Sequence, residues 1–225
     1  MSDHEFHLMQ LADSFFPTGM FGQSGGLESF VKSGRVKGGN DVLRFIQGQI
    51  KFQLVPCDCA VMSIVMDGAK KGDVARAVAA DNLCYSMKLV KEVRRASTRS
   101  GRQLLNCVVN ITSDSFAKRF YAKVEAKDSE GTYPACLAVA ANALGLPEKS
   151  ALRMMVYSYC VSIVGSAVRL GIITHIEGQN ILTRLARVAN SAKSTKRINE
   201  LWQLTPVTEI LQMWHEQDDL RMFIT

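Results

Sequence analysis

The stretch Pro147–Gly171 reads PEKSALRMMVYSYCVSIVGSAVRLG. Pro147 has the fixed φ that suits the start of a helix, so the spacing predicts a helix over Glu148 to Val168. Between Arg153 and Arg169 lie 15 residues without a charge. That run is shorter than the roughly 20 residues needed to cross a bilayer. It also carries Ser158, Ser162, Gly165 and Ser166. The stretch therefore reads as a helix buried in a protein core, and a helix buried on all sides needs other helices around it.

The neighbouring segments supply them. Pro134 sits in the first turn of a run from Ala135 to Leu144, and Gly145 ends it. Thr174-x-x-Glu177 has the form of a capping box ahead of Ile181, Leu182 and Leu185. Toward the N-terminus, Asn40-Asp41 can cap a helix carrying Val42, Phe45, Ile46 and Ile50. Pro56 is expected to interrupt it, with a second helix from Cys57 to about Met66 and a turn marked by Gly68 and Gly72. A long helix is expected over Val74 to about Arg95. Another is expected to open at Ser97 or Thr98 and turn Leu104, Leu105 and Val108 inward, and Ser113-Asp114 mark a further start. No segment shows the period-two alternation of a strand, and no hairpin turn stands out. The expected fold is all-α, a single-domain helical bundle of about eight to ten helices over residues 1–225. A mobile N-terminus (1–6), a flexible loop (191–200) and a C-terminal docking tail (206–225) complete it.

Composition agrees. Of the 225 residues, 47% are hydrophobic, enough for a substantial core. The N-terminus carries Asp3, His4 and Glu5 before any apolar stretch, unlike a signal peptide. The six cysteines are scattered through helical pattern, which suits free buried thiols in a cytoplasmic protein better than a disulfide framework.

One segment breaks the helical pattern. Pro17-Thr18-Gly19-Met20-Phe21-Gly22-Gln23-Ser24-Gly25-Gly26-Leu27-Glu28 holds four glycines and a proline within ten residues. It lacks the Lys-Ser/Thr ending of a phosphate loop and the spacing of the dinucleotide fingerprint. Pro17, Gly19, Gly22 and Gly26 are expected to shape a tight turn where protein surfaces meet closely.

Catalytic and metal signatures are sparse. His4-x-x-His7 has chelating spacing but sits at a chain end. In Cys57-Asp58-Cys59, residues i and i+2 of a helix point to different sides, so the two thiols cannot easily share an ion. Ser24 lacks the strand-turn-helix setting of a nucleophile elbow. The expectation is no catalytic residue, no metal ligand and no cofactor. The basic run Lys88, Lys91, Arg95, Arg99 and Arg102, opposed by Glu92 alone, forms a stripe on a helix. It reads either as a solvated face, as a dock for an acidic partner, or, third, as a surface for nucleic acid. The last lacks interleaved aromatics, so a basic nucleic-acid-binding regulator is the alternative reading and no nucleic-acid partner is expected.

Four blocks in order resemble the urease accessory protein UreF family. They are Leu8–Ser14 with Pro17-Thr18-Gly19-x-Phe21-x-x-Ser24-x-Gly26-Leu27-Glu28; Arg95–Arg102; Leu137–Pro147 with Val164–Gln179; and Pro206–Phe223. The family often has glycine where Met20 stands and a larger residue where Gly25 stands. The resemblance implies an all-α, commonly dimeric, non-enzymatic protein. It would bridge UreD (also called UreH) and the GTPase UreG during nickel delivery to the urease apoprotein, and would gate GTP hydrolysis. By resemblance, Glu28 and Arg169 contact the GTPase, with Gly171 and Gln179 in the same block. The residues themselves also allow Glu28 to be a solvent-exposed carboxylate in a helix's first turn, and Arg169 to satisfy the end of its own helix. Trp214, His215, Arg221 and Phe223 put aromatic and cationic groups on a chain end. They either pack on the domain itself or order against UreD. On the second reading, deleting Met213 to Thr225 leaves a folded protein that no longer captures UreD.

Overall fold

A computed structural model describes residues 3–19, 22–191, 194–216 and 222–223. Those residues form ten helices and no strand, as the periodicity predicts. They are α1 (Asp3–Ala12), α2 (Leu27–Lys32), α3 (Gly39–Lys71), α4 (Val74–Met87), α5 (Lys91–Ile111), α6 (Ser115–Glu125), α7 (Tyr133–Ala143), α8 (Glu148–Arg169), α9 (His175–Ser191) and α10 (Pro206–His215). A single 3-10 turn covers Ile198–Glu200.

The core is built around α7. Every residue from Tyr133 to Ala141 is buried. Four buried alanines and Cys136 keep this helix thin, so that α3, α4, α5, α6 and α8 all approach it. Close approach is tightest at Gly101 of α5. A Cβ there would lie 2.3 Å from the Gly131 carbonyl oxygen and 2.7 Å from the Thr132 carbonyl carbon. The loop ahead of α7 hangs on one carboxylate. Buried Asp81 of α4 accepts from Ser129 Oγ (2.6 Å), Gly131 N (2.6 Å), Thr132 N (2.8 Å) and Thr132 Oγ (2.5 Å).

Local signals set several ends as expected. Asp114 caps α6 through Ala117 N–H at 2.7 Å. Thr174 and Glu177 form the reciprocal capping box before α9, with Glu177 accepting from Thr174 N–H at 2.7 Å. Gly145 takes a positive φ beyond α7.

Three boundaries differ from the sequence reading. Asn40-Asp41 do not cap α3 but lie in its first turn, with extended Gly38 at the N-cap and no side-chain cap bond. Pro56 does not end a helix. The chain winds as a π-helix over Ile50–Cys59 and continues as α-helix to Lys71, so Gly68 lies inside α3 and only Gly72 ends it. The Phe52 carbonyl, which the Pro56 nitrogen cannot serve, accepts instead from Leu204 N–H at 2.8 Å. The expected helix Val74–Arg95 is instead split between α4 and α5. Lys88 leaves the helical conformation (ψ 96°) as its side chain turns into the core, and Arg94 donates to the carbonyls of Lys88 and Leu89 across the break. Ser97 and Thr98 therefore sit within α5, and Ser97 Oγ accepts from Tyr133 N–H at 3.1 Å.

Two helices, Gly39–Lys71 and Glu148–Arg169, are long and apolar enough to cross a membrane, yet 72% and 61% of their most apolar windows are buried inside this fold. The flanking Arg153 and Arg169 bound an uncharged run shorter than the helix itself.

Candidate functional site

The glycine-rich turn is held against α8 and α10. Ser162 and Ser166, two of the three serines in the apolar stretch of α8, both donate to the Gln23 carbonyl, at 2.8 and 3.3 Å. Gly26 has φ 92°, and a Cβ there would come within 3.1 Å of Gln212 and 3.2 Å of Thr208 on α10. Glycine at this position lets the turn enter α2 while α10 lies directly over it. Gly19 also has positive φ, but Gly22 does not and borders open space, so Gly22 is not one of the residues the turn requires. Gly25 is: its φ is 60°, and a Cβ would meet Ile163 Cδ1 at 2.7 Å.

This packing buries Glu28. It is 3% exposed, which overturns the solvent-exposed reading of its carboxylate. Its oxygens accept from Met222 N–H and Phe223 N–H, each at 3.1 Å, and from His215 Nε2 at 3.1 Å. Lys32, one turn along α2, lies 3.2 Å away. Burial works against this charge, but the donors and cations outweigh it and hold the Glu28 pKa below the ordinary carboxylate value. Glu28 therefore acts as acceptor, and His215 Nε2 carries the donated proton. The other ring nitrogen of His215 lies 3.6 Å from Glu92 Oε2. Glu92 N–H at the start of α5 in turn donates to the Glu216 carboxylate at 2.6 Å. Arg169 closes the assembly from outside. Its guanidinium sits 4.7 Å from the Phe223 ring centre, and it also donates to Gly165 O and Ser166 Oγ.

Glu28, Arg169, His215 and Phe223, read from separate motifs, thus converge. His215 and Phe223 are buried and pack on the chain's own surface. Gly171, with φ 73°, follows α8, and Gln179 lies exposed on α9. Trp214 is 63% exposed. Arg221 lies outside the described residues. Lys32 and Glu92 complete the network without having been singled out as site residues. The i, i+4 spacing from Glu28 is a signal for Lys32, and the isolated negative charge within a basic run is one for Glu92.

The network holds a chain end in place and leaves an apolar surface beside it. Leu204, Val207, Ile210, Met213 and Trp214 are all at least 40% exposed, and Val207, Ile210 and Trp214 follow helical spacing along α10. Trp202 lies exposed just before them. A second apolar groove, of about 530 Å³, is lined by Phe6, Met9, Phe15, Phe16 and Ile111 among others, with Phe15 93% exposed.

The basic stripe is shorter than expected. Lys88 is buried and pairs with Asp58 at 2.7 Å. Burial opposes its charge, but Asp58 more than offsets this and raises its pKa above the ordinary lysine value. Arg95, Arg99 and Arg102 remain exposed on α5. His7 bonds to the Leu144 carbonyl at 3.2 Å. Of the Cys57-Asp58-Cys59 motif, Cys59 stands apart, while Cys57 and Asp58 meet Cys84 with their ligand atoms within 4.8 Å of one another.

The UreF family model matches residues 36–186. A urease accessory protein UreF of Trichodesmium erythraeum (strain IMS101) is 29% identical over 219 residues, covering 96% of this chain and 94% of that protein. One of Actinobacillus pleuropneumoniae is 28% identical over 222 residues, 97% of each chain. One of Photorhabdus laumondii is 29% identical, covering 96% of each. Matched over most of its length by the family model and nearly end to end by these relatives, the chain belongs to the UreF family of urease accessory proteins.

Proposed function

We propose that this chain is a non-catalytic adaptor of urease maturation. It joins UreD (UreH) to the GTPase UreG, gates GTP hydrolysis during nickel delivery to the urease apoprotein, and works as a homodimer in the cytoplasm. The observation that carries this reading is the apolar outer face of α10, beside a chain end clasped by Glu28. Exposed apolar area of that extent suits a protein partner. Val207, Ile210, Met213 and Trp214 are assigned to UreD on this reading.

Arg169, Gly171 and Gln179 are assigned to the GTPase surface. A guanidinium offers a fork of donors that a lysine cannot. Glu28 then acts from beneath, by fixing Phe223 under Arg169, rather than by touching the GTPase.

The test is co-purification with the cognate UreD and UreG, followed by the GTPase rate with and without this chain. Deletion from Met213 removes buried His215 as well as exposed Trp214, so surface substitutions separate docking from folding more cleanly. The expected result is that Ile210→Asp/Trp214→Asp loses UreD, whereas Arg169→Ala keeps UreD and loses UreG. Unchanged capture of both partners by both variants would overturn the assignment.

A further inference from the structure

Two helices bring soft ligands together away from the adaptor surfaces. Cys57 and Asp58 lie on the π-helical part of α3; Cys84 and Met87 lie three residues apart on α4, with Lys88 next to them. Cys57, Asp58 and Cys84 are all buried, and one ligand atom from each falls within a sphere of contacts no wider than 4.8 Å. Cys84 Sγ is 3.9 Å from Asp58 Oδ1, and Cys57 Sγ is 3.9 Å from Met87 Sδ. In a tetrahedral zinc site, bond lengths of about 2.3 Å to sulfur and 2.0–2.2 Å to oxygen place ligand atoms roughly 3.5–3.8 Å apart. The Cys84–Asp58 and Cys57–Met87 separations lie within about 0.4 Å of that range.

We propose that Cys57, Asp58 and Cys84, with the Met87 thioether as fourth donor, form a closed site for a thiophilic divalent cation of the zinc type.

The charge balance favours it. Without metal, two neutral thiols sit beside the Asp58–Lys88 pair, and the group is neutral. On binding, each thiol releases a proton to solvent and two S–metal bonds form. Two thiolates, one carboxylate, one ammonium and one divalent cation again sum to zero. No net charge is buried in either state, which avoids the desolvation cost of an unpaired ion. The Lys88 ammonium has somewhere to go when metal takes the Asp58 oxygen it now holds. A cavity of about 80 Å³ borders Asp58 and Lys88 and is lined also by Gln23, Gln53 and Tyr159. Buried dithiolate sites exclude hard cations, which prefer oxygen ligands. The inference rests on these side chains alone and not on the adaptor reading.

The experiment uses the isolated, reduced full chain, so its failure would leave the adaptor reading untouched. Cobalt(II) serves as the optical probe and zinc(II) as the competitor, with His4→Ala/His7→Ala in the background to remove the terminal histidine pair. One equivalent of cobalt should give the intense sulfur-to-metal charge-transfer absorption, which zinc should abolish. X-ray absorption on the zinc form should count three sulfur ligands. The Cys57→Ser/Cys84→Ser variant should lose the band and weaken zinc by at least about 100-fold. Cys107→Ser should change neither. A spectrum without sulfur coordination, or a band that survives the double variant, would overturn the site. Should the double variant fail to fold, the sulfur count decides. So does the shift in thermal midpoint that zinc gives the His4→Ala/His7→Ala chain, since a cation that binds only the native form must raise it.

Discussion

At the scale of single residues, Glu28 shows how burial changes what a side chain does. The same carboxylate in water would add a small helix-dipole term. Under α10 it accepts two main-chain N–H groups and an imidazole, and its removal strands all three. Glu28→Ala is expected to lower stability by about 2–4 kcal/mol, and Glu28→Gln by less, since the amide keeps an acceptor. Limited proteolysis beyond His215 should quicken in both, and resistance equal to wild type would contradict the clasp. The pH dependence follows from the lowered pKa. A carboxylate whose folded pKa lies below its unfolded value stabilises fully above the unfolded value, about pH 4.3. That contribution disappears as pH falls through the folded value. Difference in unfolding free energy between wild type and Glu28→Gln should therefore shrink below about pH 4. Gly101 makes the complementary point about space. A methyl group there meets main-chain atoms, which cannot swing aside as side chains do. Gly101→Ala should cost about 3 kcal/mol or more by denaturant unfolding.

At the scale of elements, helix ends divide into those set locally and those set by neighbours. Pro147, Asp114, Gly145 and the Thr174/Glu177 box act within one turn of the residues they cap, so a window of sequence contains the whole interaction. The break between α4 and α5 is of the other kind. Helix propensity and periodicity run straight through Lys88, but a buried carboxylate on α3 draws its ammonium inward and the main chain follows. Pro56 errs in the opposite direction. A proline stops a helix when its missing N–H leaves a carbonyl unpaired, and here Leu204 N–H pairs the Phe52 carbonyl while π winding carries the rod past the ring. The loop before α7 depends on Asp81 in the same non-local way. Asp81→Ala leaves two amides and two hydroxyls without their acceptor and is expected to cost about 3 kcal/mol or more. Hydrogen exchange should speed at Gly131 and Thr132 before it speeds in α7.

At the scale of the whole molecule, the chain carries a net charge of +6 and still exposes two apolar surfaces. Neither is needed to complete the core, which α7 organises from within. Substituting Ile210 and Trp214 by Asp should therefore move the thermal midpoint by no more than a few degrees, as surface changes do. A drop as large as that of Gly101→Ala would mean the α10 face belongs to the core. The two long apolar helices make a related point, since apolar length alone does not distinguish a core helix from a membrane span. Tertiary packing distinguishes them here, with most of each apolar window covered by its neighbours.

By itself, then, the sequence determined the all-α class, most helix starts and the family blocks, because capping, proline and periodicity act over a few residues. Tertiary structure alone decided that Glu28 meets a histidine 187 positions away, that Gly25 rather than Gly22 is constrained, and that Cys84 rather than Cys59 joins Cys57 and Asp58. Those pairings arise when helices bury one another. Which polar groups are then forced to find partners depends on how the whole surface closes, and no local pattern carries that information.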